Sequence, residues 1–299
     1  MLWVFKPVNK KIVLHIGAHR TATTRAQNIL RHHQKNGAIQ GLYFAGPNVI
    51  RPVLVRYFSV LDYVPAAHHL AGSYILKLMP QDIQKGILDI NSKAIISDEN
   101  ILGELDESIL RGKGLYPSAK ARLHAIRKIL PESDIEPIIG IRSYSDWFAS
   151  SYAIVYRRRN LPEHKVLAEK WAKLPRRWSH VVNDVISIFG TCKIVQFSEH
   201  KKDPNLFIRA VLDGRDLPAV NDDKTVMGSP SEAAIKELHI KRRNGEALTK
   251  LDVEAVIQRH ASKPAIQPFS SSQIAELNEL YDDDMKKIRT LRGATFLEA

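Results

Sequence analysis

The chain is short of cysteine, of long apolar runs and of acid. Cys192 is the one cysteine in 299 residues, which excludes an internal disulfide framework and suits a reducing compartment. It stands beside Lys193 in a short apolar run and reads as a small core residue. No apolar run approaches the roughly twenty residues that span a bilayer. The opening segment, MLWVFKPVNKK, is too briefly apolar for a secretion signal and has no small-residue cleavage site. A cytoplasmic protein is expected, with peripheral contact at a membrane surface left open. HExxH and CxxC patterns are missing, and the neighbours in His32-His33 and His68-His69 would point about 100° apart on a helix. No metal site is expected. Acidic residues number 32 against 44 lysines and arginines, a net charge of +12. That surplus draws anions: nucleotides, sulfated or phosphorylated sugars, acidic lipid heads or nucleic acid. Basic clusters at Arg157-Arg158-Arg159, Arg176-Arg177 and Lys241-Arg242-Arg243 read first as solvated faces, yet their shared sign biases the surface toward a polyanionic partner.

What is present is an alternation of strands and helices. Short Ile- and Val-rich runs at 11–16, 41–45, 93–97, 135–141 and 192–197 are continuously apolar, as parallel strands covered on both faces should be. Helices are expected at 23–36, 66–79, 117–130, 145–159, 164–189, 204–212, 230–243, 250–261 and 271–291. Pro117 opens one of them, and Ser270 to Ser272 offers a cap for the last. The expectation is an α/β fold: a doubly wound, mainly parallel sheet flanked by helices, with ligands at the carboxyl ends of the strands. One domain is expected over 1–299, purely helical from about 230. The polar stretch 213–231 reads as a long functional loop.

The richest segment is KIVLHIGAHRTATTRAQ, Lys11 to Gln27. An apolar strand breaks at Gly17, a short loop carries Arg20 and the hydroxyls Thr21, Thr23 and Thr24, and helix formers follow. Strand, tight loop and helix N-terminus together make an anion cradle of free N–H groups and a positive dipole end. It matches the Walker pattern G-x-x-x-x-G-K-[ST] poorly: Ala22 stands at the second glycine, Thr23 at the lysine, and only Thr24 fits. The positive charge lies inside the loop instead. A plainer alternative is helix capping, since Thr24 and Gln27 have capping-box spacing.

A second anion-binding pattern lies in IIGIRSYSDWFASSY. Arg142 ends a strand, and Ser150, eight residues on, falls in the first turns of the next helix. A guanidinium fork and a hydroxyl so placed can hold one phosphate. Trp147, Phe148 and Tyr152 read as core.

GAHRTATT followed by Arg142-x(7)-Ser150 resembles the sulfotransferases that use 3′-phosphoadenosine 5′-phosphosulfate (PAPS), a P-loop-like fold, and is closer to the bacterial and carbohydrate-type branches. The resemblance covers 11–36 and 93–160. It implies PAPS as co-substrate, bound at its 5′-phosphosulfate by Gly17, Ala18, His19, Arg20, Thr21, Ala22, Thr23 and Thr24, and at its 3′-phosphate by Arg142 and Ser150. It also implies an acceptor hydroxyl on a sugar, glycolipid or polysaccharide, and no nucleic acid partner. Arg20 replaces the family's usual lysine, a planar fork for a point charge. Ala22 replaces its usual glycine, and a methyl there fits if the residue is helical rather than at positive φ.

The strand KAIIS ends in Asp98-Glu99-Asn100. In the sulfotransferase reading Glu99 takes the acceptor's proton, with His19 as the rival base, Arg20 faces charge on the leaving oxygen, and no metal is called for. In a kinase reading Asp98 would hold Mg²⁺. A third reading is a non-catalytic polyanion binder on the same scaffold. His15, inside the first strand, reads as buried core.

Overall fold

The structure, a computed structural model, describes residues 10–55, 57–58, 80–89, 92–110, 112–130, 133–218, 220 and 229–299. Helix 66–79 of the expectation lies outside them. In chain order the strands are β1 (Lys11–His15), β2 (Leu42–Ala45), β3 (Lys93–Ser97), β4 (Asp134–Ile141), β5 (Cys192–Gln196) and β6 (Ala294–Leu297). They form one parallel sheet in the order β2-β3-β1-β4-β5-β6. The helices are α1 (Thr23–Lys35), α2 (Pro47–Ile50, running on into a π-turn, Arg51–Val55), α3 (Gln81–Leu88), α4 (Leu105–Leu110), α5 (Ala119–Ile129), α6 (Tyr144–Arg158), α7 (His164–Ala172), α8 (Trp178–Phe189), α9 (Phe197–Lys202), α10 (Leu206–Val211), α11 (Glu232–Arg243), α12 (Lys250–Arg259) and α13 (Ser271–Thr290).

Both faces of the sheet are covered, which is why its strands are continuously apolar. Ile12, Leu14, Ala94, Ile96, Ile139 and Ile194 pack with α5, α8 and α13. Val13, Ile95, Ile138 and Val195, one residue out of step, pack with Leu30 of α1 and Phe207 of α10. The α/β class is as expected. No helix among the described residues is long and apolar enough to cross a membrane.

Two expectations are corrected. The stretch 164–189 is not one helix: Leu174 takes φ 34 and Pro175 follows, so α7 ends and α8 starts afresh at Trp178. Proline lacks the N–H a helix interior needs and bars the preceding residue from helical φ/ψ. The tail is not purely helical either, because β6 adds a sixth parallel strand, pairing Cys192 with Ala294 and Val195 with Leu297.

The strand order positions the site. From β1 the chain crosses toward β3 and β2; from β4 it crosses the other way, toward β5 and β6. The crevice therefore opens between the carboxyl ends of β1 and β4, where the loops carrying Arg20 and Arg142 emerge.

Candidate functional site

The loop from β1 to α1 is built by alternating backbone hand. Arg20 and Ala22 have φ 68 and 66, with Thr21 and Thr23 on the ordinary negative side between and after them. Such alternation turns successive N–H groups toward one point, an anion-binding nest. Among the described residues no acceptor meets the backbone N–H of Arg20, Thr21, Ala22, Thr23 or Thr24. Three of the loop's carbonyls, which would repel an anion, are tied elsewhere. Ala18 O accepts from Thr21 Oγ1 at 2.7 Å, His19 O from Trp147 Nε1 at 2.9 Å, and Arg20 O from Arg142 Nη1 at 3.1 Å. Gly17 has φ 46, and a Cβ there would stand 2.5 Å from Thr23 Cγ2.

This geometry corrects the expectation for Ala22, which sits in the left-handed region and not in a helical one. It carries a strain of about 1–2 kcal/mol for an L-residue, held because the nest requires that hand. The capping alternative also fails. The N-cap of α1 is Ala22, no side chain caps it, and Gln27 bonds Ser97 and Glu99 instead. Thr21 is fully buried, with its hydroxyl spent on Ala18. It lies over Gly140 of β4, where a Cβ would come within 2.5 Å of Thr21 Oγ1. Its side chain therefore shapes the loop, and only its N–H is left for a ligand. Thr23 is buried and Thr24 exposed at the open end of α1.

Arg20, Arg142 and Ser150 come together. Arg20 Nε donates to Ser150 Oγ at 2.7 Å and its Nη2 to Ser229 Oγ at 2.9 Å; the two serine hydroxyls are 3.0 Å apart. The Arg20 side chain is thus turned to the Ser150 end of the crevice, so the expected two separate ends form one cluster. Arg142 lies 4.4 Å over the Phe197 ring and reaches Asp146 only at 3.8 Å. Its Nε is buried without a hydrogen-bond partner among the described residues. Among the described residues neither guanidinium has a carboxylate within hydrogen-bond distance. Burial first, then the like charges of Arg142 and Arg157, push Arg20 down to about 10. Burial also lowers Arg142, against the pull of Asp146.

The acids stand on the β3 side of the loop. Asp98, 1% exposed, receives the fork of Arg51 at 2.9 and 3.1 Å and caps the turn that follows by accepting from Asn100 N. Burial pushes it up, against the pull of Arg51. Glu99 accepts from Arg51 at 3.3 Å and from Gln27 at 3.2 Å. Burial alone would raise its carboxyl; His19, its own N–H, Arg51 and Gln27 outweigh burial and hold it below the usual carboxylate range. Its Cβ lies 3.8 Å from where a Gly17 Cβ would be, so Glu99 flanks the loop's first turn.

His19 is buried and spoken for. Nε2 meets Asn100 Oδ1 at 2.7 Å, Nδ1 meets the Tyr116 hydroxyl at 3.0 Å, and that hydroxyl also accepts from His19 N. An amide oxygen can only accept, so the bonds fit a neutral ring with its proton on Nε2 and its lone pair bonded by Tyr116. Burial lowers its basicity too. His15 is core, as expected: burial holds it at about 4, and Ser97 bonds its Nδ1 at 2.8 Å.

Several partners were not legible in the sequence. Arg51 and Ser229 carry no local motif, although Ser229 lies within the loop 213–231 singled out as functional. Residues 219 and 221–228 of that loop lie outside the described residues. Trp178 Nε1 donates to Arg142 O at 2.8 Å. Two buried indoles, Trp147 and Trp178, therefore tether the two site loops from below. Among the described residues no group of three or more His, Cys, Asp or Glu could hold a metal ion.

No protein-family model matches the chain, and no curated protein matches it. Among solved structures, a chain from the PezAT chromosomal toxin–antitoxin system of Streptococcus pneumoniae aligns over 92% of this chain and 89% of its own. The identity is 11% and the TM-score 0.24, a likeness that carries no inference.

Proposed function

We propose that this chain is a sulfotransferase that moves a sulfuryl group from PAPS to an acceptor hydroxyl on a carbohydrate or glycolipid. One observation carries the proposal. Arg20 and Arg142, neither with a carboxylate within hydrogen-bond distance among the described residues, meet at the β1/β4 crevice beside five backbone N–H groups that no described acceptor claims. Burying like charges together is costly unless an anion joins them. The nest and α1 suit one anionic group, and the Arg20–Ser150–Ser229 corner, with Arg142 bonded to the Arg20 carbonyl beside it, suits a second. A nucleotide carrying phosphate at both 5′ and 3′ positions fits that demand, and the likeness of GAHRTATT and Arg142-x(7)-Ser150 to the PAPS enzymes points the same way.

When bound, PAPS supplies an activated sulfuryl group: the acceptor oxygen bonds sulfur as the sulfur–oxygen bond to phosphate breaks, and adenosine 3′,5′-bisphosphate departs with that electron pair. The chain supplies the rest. Glu99 is ionised at neutral pH and accepts the acceptor's proton. His19 cannot do so without surrendering Tyr116. Arg142 and Ser150 would hold the 3′-phosphate. Arg20, with its backbone in the nest and its guanidinium at Ser150, sets positive charge between that corner and the N–H groups that face the leaving oxygen.

The kinase alternative asks Asp98 to bind Mg²⁺, but both its oxygens are engaged by Arg51. A thermal-shift titration separates the readings. Metal-free stabilisation by adenosine 3′,5′-bisphosphate supports the sulfotransferase. Preference for ATP·Mg²⁺ would transfer the case to a kinase, and no response to either would leave a polyanion-binding scaffold.

A further inference from the structure

Between α6 and α12 runs a groove of about 520 Å³ that the anion site does not use. Its apolar lining comes from Ile154, Leu248 and Val253, and its charged lining from Arg157, Arg158, Arg242, Lys250 and a single acid, Glu254. Arg157 Nε donates to Glu254 at 2.6 Å, so that pair is neutral. Among the described residues the other three cations have no carboxylate partner. The Arg242 guanidinium closes the end of α6, donating to the main-chain carbonyls of Tyr156 at 2.6 Å, Arg159 at 3.2 Å and Arg157 at 3.4 Å. Those bonds and the Tyr156 ring, 5.0 Å from its guanidinium carbon, hold it in place, and no carboxylate among the described residues pairs with it. Arg158 and Lys250 are exposed, and neither has an ion-pair partner among the described residues. The nearby carboxylate of Asp252 is turned back on Thr249 as half of a capping box.

The groove and the anion site share one stripe of α6. Ser150, Ile154 and Arg157 are spaced i, i+4, i+7 on α6 and so form one stripe of that helix. Seven residues of α-helix rise about 10 Å. The stripe leads from the Ser150 hydroxyl, where Arg20 bonds, to the basic end of the groove.

Resting on the sulfotransferase reading above, we propose that this groove is the subsite for the acidic part of the acceptor, and that the acceptor is an anionic oligosaccharide. An apolar floor suits the C–H face of a sugar ring, and the three cations with no described carboxylate partner suit its carboxylates or sulfates. No aromatic ring lines the groove, so it lacks the stacking platform that single-stranded nucleic acid uses. It is also a recess between two helices, where a membrane surface cannot follow.

The test uses the full chain, a heparin-derived sulfated hexasaccharide and isothermal titration at two salt concentrations. Wild type is compared with Arg158→Ala/Lys250→Ala, both exposed side chains. The expected result is an affinity for the hexasaccharide about tenfold weaker in the variant, a shallower salt dependence, and unchanged binding of adenosine 3′,5′-bisphosphate. Unchanged hexasaccharide binding, with the bisphosphate still bound, would overturn the groove assignment alone. If the wild type bound hexasaccharide through these residues but no bisphosphate, the sulfotransferase reading would fall and the acceptor role with it. A twelve-nucleotide DNA strand or anionic phospholipid vesicles losing more affinity than the hexasaccharide in the variant would overturn the choice of a saccharide.

Discussion

The two sides of the β1–α1 loop are built on opposite principles. On the β3 side every charged group has its answer: Asp98 and Glu99 share Arg51, Gln27 bridges Glu99 to Ser97, and His19 is bonded at both ring nitrogens. On the β4 side Arg20 bonds two neutral hydroxyls and Arg142 a carbonyl, with no acid in hydrogen-bond range among the described residues. A balanced network is complete without a ligand and fixes a carboxylate in place. An unbalanced one is complete only with an anion. Under the proposed sulfotransferase reading the contrast separates the roles: the β4 side would bind the anion, and the β3 side would carry the base.

Removing charge from the unbalanced side should have the largest effect. Arg20→Ala should lower sulfuryl transfer by about 10²–10³, as loss of an oxyanion donor does, with the circular dichroism spectrum retained. Near-wild-type turnover would mean that the imbalance is not functional.

On the balanced side, Glu99→Gln should lower turnover by about 10² and leave bisphosphate affinity intact. Turnover at the wild-type level would pass the base role to another group. The same variant has a pH signature. A carboxyl held below its ordinary value of about 4.3 stabilises the fold above that pH, and the contribution is lost as pH falls through the lower folded value. The stability gap between wild type and Glu99→Gln should therefore be constant at neutral pH and close only in acid. A gap that opened between pH 6 and 8 would contradict a depressed carboxyl.

The smallest effect should come from the nest itself. Ala22→Gly removes a left-handed strain of about 1–2 kcal/mol and returns about 0.4–1 kcal/mol of unfolded-chain entropy, so Tm should rise by a degree or two. A fall in Tm would mean that the Ala22 methyl makes contacts worth more than its strain.

How much of this was legible depends on whether the cause is local. Five strands declared themselves as short apolar runs because both faces of the sheet are covered. β6 did not, because ATFL at the end of a long helix pattern has no such run. The break at Pro175 was visible in the sequence but was overridden by apolar spacing on either side. That Arg20 and Arg142 could share a crevice followed from each lying just past a strand. The geometry within it did not follow. The inward turn of Thr21 is set by the space above Gly140, and the hand of Ala22 by the nest. Ser229 reaches Arg20 from 209 residues away, a contact no spacing encodes.

The central claim is that Arg20 and Arg142 together hold one nucleotide by two phosphates. Calorimetric titration of adenosine 3′,5′-bisphosphate and of AMP, without metal, into wild type and Arg142→Ala tests it most directly. The bisphosphate should bind wild type far more tightly than AMP does, and Arg142→Ala should erase most of that preference while barely touching AMP. Equal losses for both nucleotides, or no preference in the wild type, would contradict it.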